Sequence, residues 1–240
     1  MAGACVILIA AVPTKAGESS CPDAISSFDT NGAVLSIPKG GAGRTLDILA
    51  IGSSSTEGIG ASSAANAYPA RLQDELAKDD GIAAEVKNAG IGGELAAKTL
   101  QRLKSALKSG WARLVIWQVG TNDAIVGVDE ALFRATVRSG VEAARLAGVP
   151  LVLVGPQVTL IPTDPARYER FVAIVDEIGA SAHVPVLDRY VMMKRWGVKN
   201  TMALGLLLSH DGLHMNDLGY QCLAHALAEA IEGAAAGAKL

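Results

Sequence analysis

Three observations predict an α/β fold built on a parallel sheet. Five short, mostly apolar runs occur at residues 46–51, 83–86, 114–119, 151–154 and 184–187, each bounded by turn residues. Stretches with helical periodicity separate them, so that strand and helix alternate along the chain. The runs are short and largely unbroken by polar residues, the pattern of strands covered on both faces. At 240 residues and 50% apolar composition, the chain fits one such domain with a substantial core.

Residues 1–16 carry an apolar run at 2–12, too short for the ~20 residues that a bilayer span needs. It matches a truncated signal-peptide core, although no basic residues precede it. Export to the periplasm or medium is the expectation, with a simple apolar arm and a cytoplasmic protein as the alternative. Residues 17–44 are rich in Gly, Ser, Pro and Asp around one apolar patch, Ala33-Val34-Leu35-Ser36-Ile37, and read as an irregular surface arm. The domain itself occupies residues 45–240.

Within it, the strand at 46–51 leads to a glycine- and serine-rich turn. Pro69 suits a first helical turn, and that helix continues over about 70–78. The second run is followed by a helix at 94–108, with Leu95, Leu100, Leu103 and Leu107 at helical spacing. A third strand ends near Gly120. The helix at 129–146 starts on acidic residues and stops before Gly148 and Pro150. After the fourth strand, Phe171, Ile174, Val175 and Ile178 mark a helix at 167–182. The fifth strand and a last helix at about 216–231 complete the series. There is no internal repeat.

Net charge is −3 and pI about 5.8, without a basic stripe, which argues against nucleic acid or an anionic membrane surface as partner. Aromatic residues, at 4%, are too few for a base-stacking platform. The cysteines are Cys5, Cys21 and Cys222. Loss of the leader would leave Cys21 and Cys222, which would pair in an oxidising compartment or remain two free thiols.

In a parallel sheet, ligands bind beyond the carboxyl ends of the strands. Ser54, the 90–93 segment and Asn122 follow successive strands, so all three are expected at one sheet edge. Gly52-Ser53-Ser54-Ser55-Thr56-Glu57-Gly58 lets the chain turn sharply and expose a hydroxyl, although such turns also serve as plain loops. A P-loop reading fails for want of a following Gly-Lys-Ser/Thr. A dinucleotide fingerprint fails because Ser63 replaces its third glycine and the second strand ends in Asn88. Asn88-Ala89-Gly90-Ile91-Gly92-Gly93 offers backbone N–H donors at positive φ, or is merely a tight βα turn. In Gly120-Thr121-Asn122-Asp123 the Asn amide suits a developing negative charge. Its alternative is an N-cap or Asx-turn, with Asp123 the better-placed cap.

Ser209-His210-Asp211-Gly212-Leu213-His214 closes the series. Asp211 can reach His214 across one turn, hold Nδ1 protonated and leave Nε2 free to accept a serine proton. A metal site at His210, Asp211 and His214 is disfavoured, because Gly212 breaks the helical face and no further ligand lies nearby. The remaining histidines, His183 and His225, read as structural.

Taken in order, Gly52-Ser53-Ser54-Ser55, Asn88-x-Gly90-x-x-Gly93, Gly120-x-Asn122-Asp123 and Asp211-x-x-His214 resemble the four sequence blocks of the SGNH, or GDSL-type, esterases and lipases. The resemblance spans about residues 45–230. It implies a flavodoxin-like three-layer α/β/α sandwich with a five-stranded parallel sheet. It implies Ser54 as nucleophile, His214 as general base and Asp211 as its orienting partner. The oxyanion donors would be the backbone N–H groups of Ser54 and Gly93 and the side chain of Asn122. No metal or organic cofactor is implied, and the substrate would be a small-molecule ester, an acyl ester or an acylated carbohydrate. Thioesterase and lysophospholipase activities would use the same site, and a non-catalytic ligand-binding module is the rival from another class. One departure stands out: Ser53 occupies the position where the family usually has Asp. The α/β-hydrolase elbow is not satisfied, since Thr56 stands at its final glycine. Apolar segments at 124–126, 158–161 and 204–208 are candidates to receive an acyl chain, and Tyr168 and Trp196 to flank a sugar.

Overall fold

The structure is a computed structural model, and it describes residues 21, 28–32, 35, 45–78, 82–161, 163–199 and 203–235. Residues 1–16, and most of the 17–44 arm, lie outside that set. The sheet order is β1-β6-β5-β4-β2-β3, formed by β1 (Phe28–Asp29), β2 (Leu46–Gly52), β3 (Ala84–Gly90), β4 (Leu114–Gln118), β5 (Leu151–Val154) and β6 (Val186–Leu187). The five expected strands are all present and mutually parallel. The expected count of five is corrected to six, because β1 adds an antiparallel edge with Phe28 opposite Leu187 and Asp29 opposite Val186. A two-residue strand inside a polar arm has no readable periodicity, which is why the sequence shows it as irregular.

Alternate residues of each central strand feed two cores. Ile48, Ala50, Leu114, Ile116, Val152 and Val154 face one side, where they meet α2 (Tyr68–Leu76), α7 (Arg189–Lys199), α8 (Ala203–Leu207) and α9 (Asp217–Ala235). Leu49, Ile51, Val115, Trp117, Leu151 and Leu153 face the other, against α3 (Ala96–Ser109), α5 (Glu130–Ala147) and α6 (Pro165–Ala182). Burial on both faces explains why the strands read as unbroken apolar runs. Trp117 is fully buried and donates from Nε1 to Thr99 Oγ1 at 3.0 Å. Its ring lies so close to Gly140 that an added Cβ would sit 2.1 Å from it, so α5 approaches the sheet only because that position lacks a side chain.

Helix ends follow local chemistry. Asp129 accepts from Leu132 N–H at 2.9 Å, and Gly148, at φ 66°, terminates α5. Asp164 caps α6 in the same way, ahead of Pro165. The helices α7, α8 and two short ones, α1 (Ser54–Glu57) and α4 (Thr121–Val126), go beyond the expected set.

Cys21 and Cys222 form a disulfide across 201 residues, tying the arm to α9. A crosslink over so long a loop stabilises chiefly by restricting the unfolded chain. Cys21→Ser is therefore expected to lower unfolding free energy by about 2–4 kcal/mol, read as an earlier urea midpoint with a steeper slope, since the uncrosslinked unfolded chain exposes more surface.

Candidate active site

The parallel strands follow the flavodoxin-type order, in which the chain leaves β2 outward to β3 and then returns to β4 on its other side. That reversal opens a crevice beyond the ends of β2 and β4. Ser54 begins α1 directly after β2, and Asn122 lies in α4 directly after β4.

The turn out of β2 is tight. A Cβ on Gly52 would meet Thr56 Oγ1 at 2.4 Å and Gln118 Oε1 at 2.7 Å, and one on Gly90 would meet Glu57 N at 1.9 Å. Glycine at both positions lets α1 press against the ends of β3 and β4. Gly58, at φ 103°, ends α1 by donating to Ser54 O. Ser53, at the departing position, is buried, and both its N–H (2.9 Å) and its hydroxyl (3.1 Å) donate to Gln118 Oε1. Gln118 is the one polar residue of an otherwise apolar strand, and it anchors the turn from below.

His214 lies in the loop before α9. Its Nε2 is 2.9 Å from Ser54 Oγ, and its Nδ1 is 2.5 Å from Asp211 Oδ2. Asp211 Oδ1 accepts from the Ser209 hydroxyl at 2.7 Å and from the N–H groups of Leu213 and His214, each at 2.9 Å. Burial alone would raise the Asp211 pKa. The hydrogen bonds from the His214 ring, Ser209 and the two backbone amides outweigh it and hold the carboxyl well below its ordinary value. An ionised carboxylate can only accept, so Nδ1 carries the proton and Nε2 is left to accept from the Ser54 hydroxyl. Such an arrangement can withdraw a serine proton.

The glycine turn after β3 packs against this pair. A Cβ on Gly92 would lie 3.9 Å from Ser54 Cβ, and Gly92 N–H donates to Glu57 Oε2 at 2.6 Å. Gly93 adopts φ 77°, and among the described residues its N–H has no acceptor. Asn122 Nδ2 donates to Glu94 O at 3.0 Å, which fixes the amide and leaves its second hydrogen free. Arg102 fastens the same region, donating to Ala89 O, Gly52 O and Glu94 Oε2.

Asp123 differs from expectation. The residue preceding α4 is Gly120, with no side-chain cap, and Asp123 instead accepts Ala96 N–H through both oxygens at 3.1 Å, capping α3. Tyr168 and Trp196 are 2% and 1% exposed, so neither flanks a ligand. His183 and His225 make their contacts away from the site; His183 Nδ1 lies 3.0 Å from Asn31 O, and His225 sits between Glu75 and Glu229 at 3.5 Å from each. A cavity of about 630 Å³ opens at the opposite end of the sheet, between α5 and α6; His183 lines it, and Ser54, Gly93, Asn122, Asp211 and His214 do not.

Three buried polar residues beneath the site escaped the sequence reading: Gln118, Gln157 and Arg189. A lone glutamine within an apolar strand was the available signal for Gln118. Arg189 donates to Gly155 O and Thr121 Oγ1, and burial pulls its pKa down to about 10 against the opposing influence of nearby phenols.

Burial raises Asp123 to about 6, partly countered by the Ala96 N–H. A folded-state pKa above the unfolded value means that the native state binds the proton more tightly, so this group's contribution falls as pH rises from about 4 to 6. Asp123→Asn removes that titration. The difference in unfolding free energy between the parent and this variant, from urea titrations, should shift in the parent's favour on acidification across that window, by up to about 3 kcal/mol.

A model of the non-GDSL lipase-like family matches residues 26–237. Esterase TesA of Pseudomonas aeruginosa is 31% identical over 183 residues, covering 76% of this chain and 85% of that protein. Among solved structures, the lipase/acylhydrolase from Enterococcus faecalis aligns with a TM-score of 0.69 at 23% identity, over 79% of this chain and 96% of its own. AlinE4, an SGNH-hydrolase family esterase, aligns at 0.59 and 25% identity, over 79% and 96%.

Proposed function

Because the chain belongs to the non-GDSL lipase-like family, within the SGNH or GDSL-type esterases and lipases, and is a hydrolase of ester bonds, we propose that it cleaves carboxylic esters through a Ser54–His214–Asp211 triad and an acyl-enzyme. The observation that carries this reading is the continuous path from Ser54 Oγ to His214 Nε2 (2.9 Å) and from Nδ1 to Asp211 Oδ2 (2.5 Å). His214 takes the Ser54 proton as the hydroxyl attacks the ester carbonyl. The negative oxygen is met by the N–H groups of Ser54 and Gly93 and the free hydrogen of Asn122. His214 then protonates the leaving alcohol, and water repeats the sequence on the acyl-serine.

Exposed Ile59, Ile91, Val126 and Leu160 lie on the segments that follow β2, β3, β4 and β5, which favours an apolar acyl group, with short-chain and acetyl esters foremost. No helix among the described residues is long and apolar enough to cross a membrane. The Cys21–Cys222 disulfide supports an oxidising compartment, periplasmic or extracellular.

Ser54→Ala should abolish hydrolysis of aryl acetates and labelling by a fluorophosphonate while circular dichroism stays unchanged. Retained turnover in that variant would remove Ser54 from the reaction. Asn122→Ala should lower kcat by about 10²–10³-fold with little change in KM, the signature of a donor that acts on the transition state.

A further inference from the structure

Ser54 and His214 touch although 160 residues separate them, and they share no helix or strand. Ser54 opens α1 beyond β2, whereas His214 belongs to a loop before α9. Their spacing therefore depends on what joins the two loops.

Gln157, in the segment after β5, is 1% exposed. Its Oε1 accepts from the hydroxyl of Ser55 at 3.1 Å, and its Nε2 donates to the carbonyl of Leu213. These partners are the immediate neighbours of Ser54 and His214. The amide orientation is fixed, because a backbone carbonyl can only accept and so must face the NH2 group. Gln157 is itself immobilised, since Tyr168 Oη donates to its carbonyl at 2.7 Å and its N–H points to Thr121 Oγ1 at 3.4 Å. The segment goes on to hold the same loop through Gly212 O, which accepts from Leu160 N–H at 2.7 Å and from Thr159 Oγ1 at 3.2 Å.

We propose that Gln157 is a positioning residue that sets the separation of nucleophile and base, an inference that rests on the triad assigned above. A carboxamide presents an acceptor and a donor on one rigid plane, which is what a hydroxyl on one side and a carbonyl on the other require. Glutamate has the same shape but turns an oxygen without hydrogen toward Leu213 O. Leucine fills similar volume and makes neither bond. A displacement of about 1 Å between reacting groups can cost about 10²-fold in rate.

The test measures kcat, KM, thermal midpoint and the fluorophosphonate labelling rate for Gln157→Glu, Gln157→Leu, Ser55→Ala and the Ser55→Ala/Gln157→Leu pair, all well below their midpoints. The expected result is a kcat lower by about 10²-fold for both Gln157 variants, KM within about twofold, and labelling slowed in parallel. Ser55→Ala should lower kcat by about tenfold on its own and cost little more once Gln157 is gone, because both act through one bridge. Parent-like kcat and labelling in a folded Gln157 variant would overturn the proposal, as would effects that multiply independently in the pair. If the Gln157 variants do not fold, parent-like kcat in Ser55→Ala overturns it alone. Loss of labelling in Ser54→Ala separates the two ideas: if Ser54→Ala still labels and turns over, the triad itself fails, whereas a dead Ser54→Ala beside fully active Gln157 variants sinks only the positioning role.

Discussion

An imidazole must rest within hydrogen-bonding distance of a hydroxyl that lies 160 residues away in the chain, and most of the architecture bears on that requirement. The sheet supplies a rigid edge from which the serine turn emerges, while the loop carrying the imidazole runs between α8 and α9. Gly52 and Gly90 let the serine turn sit flush on that edge, since a Cβ at either would collide with Thr56, Gln118 or Glu57. On the opposite side, Gly60 at φ 93° lies against the base loop, where a Cβ would meet Met215 O at 2.4 Å and His214 Cβ at 2.9 Å. Close approach is thus achieved by omitting side chains at three points and by bridging polar groups at the rest.

The strands and the block residues were legible because both follow local rules. Strands buried on two faces read as apolar runs, and residues placed just after them fall on one edge whatever their sequence separation. The Asp211–His214 contact was legible for the same reason, being closed within a single turn. What escaped depends on contacts between distant segments. Gln157 looks like an ordinary loop glutamine until its two partners are seen, and Arg189 offers no local sign that it will be buried. Asp123, which the local sequence offers as an N-cap or Asx-turn residue of its own segment, reaches across to Ala96 and caps α3. The helix α7 was missed because Arg189, Lys194 and Arg195 interrupt a short apolar pattern carried by Val191, Met192, Met193 and Trp196.

Ser53 stands where the resemblance to the GDSL-type block implies Asp, and both of its donors are used. Its N–H and hydroxyl both reach Gln118 Oε1, which also lies 3.4 Å from Thr56 Oγ1. A neutral hydroxyl meets a neutral amide here, so the buried floor gains no further anion beside Ser54. Two carboxylates of the neighbouring segments accept from backbone donors: Glu57 from Gly92 N–H, and Asp123 from Ala96 N–H at the start of α3. The ionised Asp211 stays on the far side of the imidazole from Ser54.

The two outer strands of the parallel part of the sheet are guarded by different means. On one side, β3 pairs only with β2 among the described residues, and its Glu85 and Lys87 place opposite charges along the open rim, which discourages another chain from adding a strand there. On the other, β6 is only Val186 and Leu187, both buried, and its outer face is covered by Phe28–Asp29 of the arm. That cover is two residues long and lies a few positions beyond the disulfide at Cys21. Cutting the bond would loosen the shield over an apolar rim that has no charges of its own, so reducing conditions threaten self-association and loss of solubility before they threaten the distant serine.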